Sequence, residues 1–546
     1  MIEAKHESPV APADEAAGTA RPSPLAMDAD EFRRLGHQLV DAVGTFLATL
    51  AERPVTPGES PDQVRAVLGA DRPLPAEGTD PAALLAGAAE LLFGHSLLNG
   101  HPRFLGYITS SPAPLGVLAE LLAAAVNANV GAWRLSPMAS EIEAQTVRWI
   151  AELVGYPAGC GGLFTSGGNM ANFVGLLAAR AAKAADLEEG WDLRAEGLQA
   201  PAARRLRIYA SAETHTWIQK AADLSGLGTD AIRWLPTGDD LRLDLAALRV
   251  ALARDRAAGD VPMLVVGTAG SVSTGAVDPL AEIAAISREA GAWFHVDGAY
   301  GAFAARVPGA PAALADLALA DSLAVDPHKW LYAPLEAGCV LVRDPETLRR
   351  AFSYHPPYYH FGQEATNFVD FGPQNSRGFR ALKVWLTLRQ VGRDGTLRMI
   401  GDDIRLSRRL HAAVAAHPEL QPFTQALSIN TFRYVPPDLR ERAERAAARQ
   451  AGEAAGDEAG VHEIDDLLNR LNEALLERIQ SGGECFVSNA VVRGRYLLRS
   501  CIVNFNTREP DIDALPEIVA RLGREVDREL RAAEGATRFP PLTRAP

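Results

Sequence analysis

The chain has 546 residues, of which 47% are hydrophobic and 22% are charged, so it can bury a large core in two or three structural units. Its formal net charge of −14 argues against nucleic acid and anionic membranes as partners. Only four cysteines occur and none forms a C-x-x-C pair, which argues against a disulfide framework and against a metal site.

The most apolar long stretch, residues 115–130, does not have the character of a membrane span. Glu120 and two asparagines interrupt it, and it is shorter than the roughly 20 residues that a span requires. The first residues of the chain are charged and lack an apolar signal core. We therefore expect a cytoplasmic protein with no membrane partner.

The N-terminal part, residues 27–110, is predicted to be a helical segment. It follows a tail, residues 1–26, that is rich in Ala, Pro, Glu and Ser and is expected to be disordered. A helix is predicted to begin near Asp28, because Glu31 follows at capping-box spacing. Apolar residues then recur at helical spacing over 32–50, and this stripe must pack either on a partner subunit or on the protein's own body.

In the middle of the chain, residues 111–400, short apolar runs alternate with helical patterns. This alternation predicts an α/β fold with a mostly parallel central sheet, in which ligands bind at the carboxyl ends of the strands. The predicted strands are 206–210, 263–266, 293–296, 322–325 and 340–342. The predicted helices, including one in the N-terminal part, are 80–98, 115–128, 140–154, 171–184, 243–256, 280–290, 378–389 and a further helix that reaches 417.

The last part, residues 401–546, is predicted to be a small α+β domain. Its strands are expected at 428–434 and 496–505, and its terminal helix at 511–533. The insert 438–460 is low in apolar bulk, so a mobile surface helix or loop is expected there. Ahead of this domain, residues 345–378 are dense in aromatic residues, Pro and Gly, and predict either a long functional loop or short helices.

A glycine-rich turn, Phe164-Thr165-Ser166-Gly167-Gly168-Asn169, stands directly before one of the predicted helices. Small residues at a helix start leave backbone N–H groups free, and these groups bind phosphate together with the helix dipole. We therefore regard Gly168 and Asn169 as candidate phosphate contacts. The alternative is a turn that only packs closely against its surroundings.

Three polar residues follow predicted strands. Asp297 is costly to bury without a partner such as a cationic ring nitrogen, although it could instead cap a helix. Lys329, beside His328, stands where an amine loses water and can form a Schiff base with an aldehyde, although a surface lysine in a turn is the alternative. His215 could lie flat against a planar ring or be an ordinary loop histidine.

Taken together, these residues fit pyridoxal phosphate. The spacing between Asp297 and Lys329 allows one crossover and one strand, so adjacent strands would bring both to one edge of the sheet. Lys329 would then bind the cofactor's aldehyde, and Asp297 would keep the pyridine nitrogen protonated, so that the ring accepts electrons. The other contacts to the ring and the phosphate are assigned to His215, Gly168, Asn169, Ser271 and His328.

Several motifs together point to one family. They are His101-Pro102-Arg103-Phe104, Ser136-Pro137 with Glu141-Ile142-Glu143, the Thr-Ser-Gly-Gly-Asn turn, His295-Val296-Asp297-Gly298-Ala299-Tyr300, Asp326-Pro327-His328-Lys329-Trp330 and Arg377-Gly378-Phe379-Arg380. Over about residues 27–525 the sequence resembles the pyridoxal-phosphate-dependent group II amino-acid decarboxylases of the aromatic-L-amino-acid decarboxylase type.

This resemblance implies a fold-type I transferase-like architecture and an L-amino-acid decarboxylase that converts aromatic amino acids to the amine and CO₂. It implies that Lys329 binds the cofactor, that Asp297 contacts the pyridine nitrogen, that His215 stacks on the ring and that Ala299 touches it. It further implies an intertwined homodimer, with the active site at the interface and the N-terminal helices clasping the partner.

The sequence departs from the family at the tyrosine that protonates the product. Counted back from Arg377 without gaps, the matching position is Phe368, a replacement that accompanies aldehyde formation in some family members. Either the count slips, or Tyr358, Tyr359 or His360 supplies the proton, or protonation is impaired. We take Tyr359 as the candidate. An aldehyde synthase and another fold-type I enzyme, such as an aminotransferase, are the alternative functions.

The substrate pocket is predicted from position within the motifs. Phe104, Tyr107, Ile108 and Trp133 are the candidate aromatic and hydrophobic contacts. Ser376 stands where plant relatives carry Ser with phenolic substrates, which favours tyrosine, phenylalanine or dihydroxyphenylalanine.

Overall fold

The structure, a computed structural model, describes residues 23–187, 192–199, 205–354, 365–450 and 458–534. The contacts divide the chain into two compact units. One unit contains residues 23–49 with Pro61–Ser96, and the other contains Leu50–Ser60 together with the chain from Leu97 onwards. The four-part division that the sequence suggests remains a prediction.

The smaller unit is helical, as predicted. Its helices are α1 (Ala29–Thr49), α2 (Pro61–Leu68) and α3 (Pro81–Gly94). Asp28 Oδ1 accepts hydrogen bonds from the backbone N–H groups of Asp30 and Glu31, which explains why α1 begins there. Phe46 of α1 stacks on Phe93 of α3 at 4.3 Å, so part of the apolar stripe is covered within this unit.

The larger unit contains a central sheet. Its strands are β1 (Gly161–Thr165), β2 (Leu206–Ser211), β3 (Ile232–Leu235), β4 (Val261–Thr268), β5 (Trp293–Asp297), β6 (Ser322–Val325) and β7 (Gly338–Val342). Their order is β1-β7-β6-β5-β4-β2-β3, and β7 runs antiparallel to both of its neighbours. The pairs β6-β5, β5-β4, β4-β2 and β2-β3 are parallel, which confirms the predicted mostly parallel sheet.

Helices cover both faces of this sheet. The helices of this region are α4 (Pro114–Val126), α5 (Pro137–Val154), α6 (Gly168–Leu187), α7 (Leu193–Glu196), α8 (Trp217–Leu224), α9 (Leu245–Ala257), α10 (Leu280–Glu289) and α11 (Pro345–Phe352), and the sheet is covered by several of them. Successive residues of a strand point to opposite faces. In β4, Val265 packs with α9 and α10, whereas Leu264 and Val266 pack with α6 and α8.

The long helix α12 (Ala381–Ala416) leads into the C-terminal region. Its backbone leaves the helical conformation at Gly392, with φ 70° and ψ 170°, so the prediction of two successive helices is correct. A second, antiparallel sheet follows in the order β10-β11-β9-β8. It contains β8 (Leu420–Ala426), β9 (Ile429–Tyr434), β10 (Ser488–Val492) and β11 (Arg495–Cys501), and it packs with α13 (Arg440–Gln450), α14 (Glu458–Gly482) and α15 (Glu509–Glu534).

Two local predictions need correction or refinement. Helix α13 falls in the insert that was expected on the surface, but Ala443 and Ala446 are buried in the C-terminal core. The segment 345–378 contains α11 and a 3₁₀ turn at Phe368–Asp370, so the alternative of short helices is confirmed there. Residues 1–22, 355–364 and 451–457 lie outside the described part of the chain. Within that part, no helix combines the length and apolar character that a membrane crossing requires.

Candidate active site

Asp297 and Lys329 reach the same edge of the central sheet. Asp297 is the last residue of β5 and pairs in register with Ala324 of β6 and Thr268 of β4. Lys329 follows the end of β6 after a short turn. The crossover between these strands consists of 3₁₀ turns, and both side chains line one cavity of about 370 Å³. That volume lies within the usual range for a small-molecule site.

Most of the predicted site residues line this cavity. They are Tyr107, Ile108, Gly168, Asn169, His215, Asp297, Ala299, His328 and Lys329. They come from five separate stretches of sequence, so the fold brings them together as the sequence suggested.

Two predicted contacts are buried outside the lining. Phe104 is only 2% exposed and stacks on Phe486 at 5.4 Å, and Phe486 in turn touches Tyr107 on the cavity wall. The prediction that Phe104 contacts substrate is therefore corrected: Phe104 supports the wall from behind. Ser271 is also buried, and its hydroxyl shares a hydrogen bond with Thr274 while its neighbour Gly270 lines the cavity.

The position of Phe368 corrects the ungapped count. Its ring is buried in a hydrophobic cluster beneath the guanidinium of Arg377, 4.9 Å away, and does not line the cavity. Phe368 is therefore not the counterpart of a residue that meets the product. Tyr359, the candidate proton donor, lies outside the described residues. Ser376 is exposed and lies away from this cavity within a single chain.

The glycine-rich turn joins β1 to the start of α6. A Cβ atom on Gly168 would lie 2.6 Å from Asp326 Oδ2 and 3.0 Å from the Cβ of Ala299, so only glycine allows α6 to begin this close to the cavity. The first N–H groups of a helix have no intrahelical partner and attract anions. The turn is therefore suited to hold a phosphate.

Lys329 has a carboxylate beside its amine. Its Nζ lies 3.1 Å from Oδ2 of Asp326, the residue that follows β6. His328 Nε2 lies 3.7 Å from the same oxygen, and His328 Nδ1 is 2.7 Å from the carbonyl oxygen of Ala337. Burial lowers the pKa of His328, so its neutral form is favoured.

His215 lies in the loop after β2. Its Nδ1 accepts a hydrogen bond from the backbone N–H of Trp217, which orients the ring. The residue is exposed, but loss of water around part of the ring lowers the pKa of His215. The Asp297 carboxylate acts in the opposite direction and raises this pKa by less. A neutral imidazole can pack flat on an aromatic ring without carrying a charge into the site.

Several cavity residues were given no role of their own from the sequence. Among the described residues, Glu213 Oε2, Thr268 Oγ1, Asp326 Oδ1 and Arg499 Nε are buried without a hydrogen-bond partner, and all four residues line the cavity. Buried polar atoms are normally paired, so these atoms indicate a polar ligand. Together with a free amine, a carboxylate and a phosphate turn, they fit pyridoxal phosphate and an amino acid.

Arg499 reaches the cavity from β11 of the C-terminal sheet. Its Nη1 donates to Ser488 Oγ at 2.8 Å, and burial lowers the pKa of this guanidinium. No carboxylate among the described residues forms an ion pair with it. A buried cation without a counter-ion is costly, and a substrate carboxylate would supply one.

Behind the cavity, a buried carboxylate holds the residues that follow Lys329. Asp403 of α12 accepts hydrogen bonds from Trp330 Nε1 at 2.9 Å and from the Tyr332 hydroxyl at 2.7 Å. Trp330 stacks on Tyr300 of the cavity wall at 4.6 Å. Complete burial raises the pKa of Asp403 to about 7.

A second buried pair supports the phosphate turn. Glu143 of α5 is paired with Arg377 and also accepts a hydrogen bond from the backbone N–H of Phe164 at 3.0 Å. Arg377 donates to the carbonyl oxygens of Phe164 and Val130. The end of β1, which leads into the turn, is therefore fixed from two sides.

This sheet, with an amine and a carboxylate at one edge facing a phosphate turn, defines an α/β enzyme that binds pyridoxal phosphate. Residues 61–433 match the pyridoxal-dependent decarboxylase conserved domain. The chain belongs to this family, so the predicted cofactor and the decarboxylase class of enzyme are confirmed.

Similar proteins agree with this assignment over nearly the whole chain. An aromatic-L-amino-acid decarboxylase of Bacillus atrophaeus is 30% identical over 92% of this chain and 97% of its own length. A tyrosine decarboxylase of Oryza sativa subsp. japonica is 32% identical over 89% of each chain. A crystal structure of Oryza sativa TDC with PLP and tryptamine superposes with a TM-score of 0.80, at 27% identity, over 92% of this chain and 99% of that one.

Proposed function

We propose that this chain removes the α-carboxylate of aromatic L-amino acids as CO₂ and releases the corresponding amine. The observation that carries the proposal is that Asp297 and Lys329 line one cavity together with the buried guanidinium of Arg499. The similarity to an aromatic-L-amino-acid decarboxylase and to a tyrosine decarboxylase supports an aromatic substrate. The aromatic wall residue Tyr107 and the apolar Ile108 suit such a side chain.

Pyridoxal phosphate, when bound, supplies an aldehyde for the substrate amine and a ring that takes up the electrons left by CO₂. In this proposal Lys329 holds the aldehyde through Nζ, and Asp297 holds a proton on the pyridine nitrogen. Gly168 and Asn169, at the start of α6, bind the phosphate. Ala299 and His215 contact the ring.

The remaining predicted roles are kept as parts of the proposal. Ser271 and His328 support the phosphate end of the cofactor, and Tyr359 returns a proton to the substrate carbon. Arg499 would hold the substrate carboxylate in one orientation while the bond to CO₂ breaks. Fixed positioning of this kind lowers the activation barrier of the reaction, although the arginine itself takes no part in the bond changes.

We further propose that the enzyme is a homodimer in the cytoplasm. Leu118, Leu121, Leu122 and Val126 on α4 are each more than half exposed, an apolar surface that water disfavours. The chain after α4 pairs with the segment that carries Ser376, since Val130 N–H donates to the carbonyl oxygen of Arg377. A second copy packed on this face would lie beside the segment that carries Ser376. The four cysteines are free thiols, which suits a reducing compartment.

The test is a panel of amino acids given to the full-length protein with pyridoxal phosphate. Tyrosine, phenylalanine, tryptophan and dihydroxyphenylalanine are compared with glutamate and 2,4-diaminobutyrate while CO₂, amine, oxygen and hydrogen peroxide are measured. We expect one amine per CO₂ from an aromatic substrate, without oxygen consumption. Aldehyde with peroxide would instead indicate an aldehyde synthase, and a preference for glutamate or diaminobutyrate would overturn the aromatic assignment.

Arg499→Gln tests the carboxylate contact within the same panel. Loss of the cation should raise KM for the preferred amino acid by about 10- to 100-fold, which corresponds to a charged hydrogen bond. Arg380→Gln is the matched control, because Arg380 pairs with the half-exposed Glu336 outside the cavity. An unchanged KM in Arg499→Gln would remove Arg499 from the proposal.

The molar mass in solution tests the proposed dimer. The unchanged protein should have the mass of two chains, and Leu121→Glu, which places a charge on the apolar face of α4, should have the mass of one.

A further inference from the structure

Asp326 has a place in the cavity that no role assigned above explains. It is 2% exposed, one of its carboxylate oxygens lies 3.1 Å from Lys329 Nζ, and the other is buried without a partner among the described residues. The side chain lines the same cavity as Asp297. Three carboxylates, Glu213, Asp297 and Asp326, line the cavity, and only one of them is needed for the pyridine nitrogen.

The amine of Lys329 must lose a proton before it can react with an aldehyde. An ammonium has no lone pair, so its nitrogen becomes a nucleophile only after a nearby base accepts one of its hydrogens. Asp326 Oδ2 is within hydrogen-bond distance of Nζ, as proton transfer requires. We propose that Asp326 is the group that takes this proton, an inference that rests on the proposed function of Lys329.

Other cavity groups are less suitable as the acceptor. No hydrogen bond or ion pair joins His328 to Lys329 among the described residues: His328 Nδ1 is 2.7 Å from the carbonyl oxygen of Ala337, and its Nε2 is 3.7 Å from Asp326 Oδ2. Asp297 is reserved for the ring nitrogen in the proposed function. The titratable and charged groups that face Lys329 and Asp326 from the surrounding elements are His215, Glu213, Asp297, His328 and Arg499, with Lys383 near His328 and paired with Glu120.

Asp326 and Lys329 together account for every proton in this step. Asp326 Oδ2 accepts one hydrogen from the ammonium, and Nζ then forms a bond to the aldehyde carbon. The aldehyde oxygen leaves as water with two of the three ammonium hydrogens, one of them returned by Asp326. The third hydrogen stays on the nitrogen, so Asp326 ends as the carboxylate with which it began. Because its Oδ1 has no partner to lose, Asp326 gives up little stabilisation while it is neutral.

The rate at which Lys329 captures an aldehyde tests this inference without any turnover of amino acid. The full-length protein is freed of cofactor and mixed with pyridoxal, and the visible absorbance is followed over time. Pyridoxal lacks the phosphate, so the charge of Asp326 cannot act through repulsion of a phosphate. In the unchanged protein the rate should vary little between about pH 6 and about pH 9, because the acceptor is internal.

Asp326→Asn should capture pyridoxal about 100-fold more slowly at neutral pH, the usual contribution of a positioned base. Its rate should also rise about tenfold per pH unit, because only hydroxide or water then removes the proton. Glu336→Gln removes one negative charge outside the cavity and leaves Asp326 beside Lys329, so it should slow capture by less than about twofold. A rate in Asp326→Asn that equals or exceeds that of the unchanged protein would overturn the inference, since Asp326 would then only be a counter-ion.

Two further measurements keep the inference testable if Asp326→Asn fails to fold. In Asp326→Ala, added formate should restore the rate in a saturable manner, because it supplies the missing carboxylate. In the unchanged protein, a rate that rises tenfold with each pH unit would exclude an internal acceptor. If the unchanged protein shows no visible band with pyridoxal phosphate, the proposed function itself fails. A band with normal capture by Asp326→Asn overturns only the role of Asp326.

Discussion

Asp326 lies 3.1 Å from the amine of Lys329, whereas Asp403 lies against the two aromatic side chains that follow this lysine. The oxygen Oδ1 of Asp326 has no partner among the described residues, while Asp403 accepts hydrogen bonds from Trp330 and Tyr332. The difference separates residues that line the cavity, here called the wall, from residues that hold them in place from behind, here called the support. Asp326 can therefore take part in chemistry at the lysine amine, whereas the Asp403 carboxylate is occupied by the two donors it holds in place.

The same contrast applies to the two charged pairs of the site region. The Glu143–Arg377 pair is buried and surrounded by backbone hydrogen bonds, whereas Lys329 and Asp326 face the cavity. Changes behind the wall should therefore act mainly on folding stability, and changes on the wall mainly on cofactor binding and rate.

The largest stability loss is expected for Arg377→Met. It leaves the buried carboxylate of Glu143 unpaired and removes the bonds to Phe164 and Val130, which should cost about 3–5 kcal/mol of unfolding free energy. Urea unfolding measures this loss. Arg380→Met, which breaks a pair with half-exposed Glu336, should cost less than about 1 kcal/mol. Equal losses in the two variants would contradict the distinction between support and surface.

Asp297→Asn should act on the reaction while the fold remains. An amide cannot hold a proton on the pyridine nitrogen as a carboxylate does, so kcat should fall about 100- to 1000-fold, the usual range for a group that stabilises developing charge. The midpoint of thermal unfolding of the cofactor-free protein serves as the check on folding. A variant that loses stability but keeps its rate would place Asp297 with the support.

Asp403→Leu should weaken the support. It leaves the donors of Trp330 and Tyr332 without an acceptor, at a cost of about 1–3 kcal/mol in unfolding free energy. Asp403→Asn keeps a carbonyl oxygen in the same place and should recover most of that loss. Cofactor affinity, measured by absorbance titration, should fall in Asp403→Leu and recover in Asp403→Asn. If both variants behave alike, acceptance of hydrogen bonds is not the role of this carboxylate.

The pH dependence of stability tests the burial of Asp403 in a separate way. Burial raises the pKa of Asp403 from 3.8 to about 7 in the folded protein, so the folded state holds a proton that the unfolded state releases. This contribution to stability is complete below the lower value and is lost as the pH rises through the upper one. The unfolding free energy should therefore fall by more than about 1 kcal/mol over this window. Asp403→Asn should remove that part of the slope, as urea unfolding at several pH values would show.

Apolar runs allowed the centre of the fold to be predicted. Strands β4, β5 and β6 are short hydrophobic segments between helices, and a parallel sheet follows from that alternation. Strand β1 was missed because it begins with two glycines, and β3 because it contains Arg233 and the exposed Trp234. Their pairing depends on neighbours that are distant in sequence.

The site was predictable where one residue type follows a strand, as with Asp297 and Lys329. Arg499 was missed because β11 belongs to the C-terminal sheet and no local pattern ties it to Lys329. Phe104 was assigned by its place in a motif, but its position beside Phe486 directs the ring into the core. Asp326 was read only as part of the motif around Lys329, since its contact with Nζ depends on the shape of the turn.

Mass spectrometry after borohydride reduction tests the central claim most directly. The full-length protein is incubated with pyridoxal phosphate, reduced, digested and mapped, with Lys329→Ala treated in parallel. The account predicts that the cofactor mass is found on the peptide that contains Lys329 and that it is absent from the variant. A cofactor attached to another lysine, or a visible band that persists in Lys329→Ala, would contradict it.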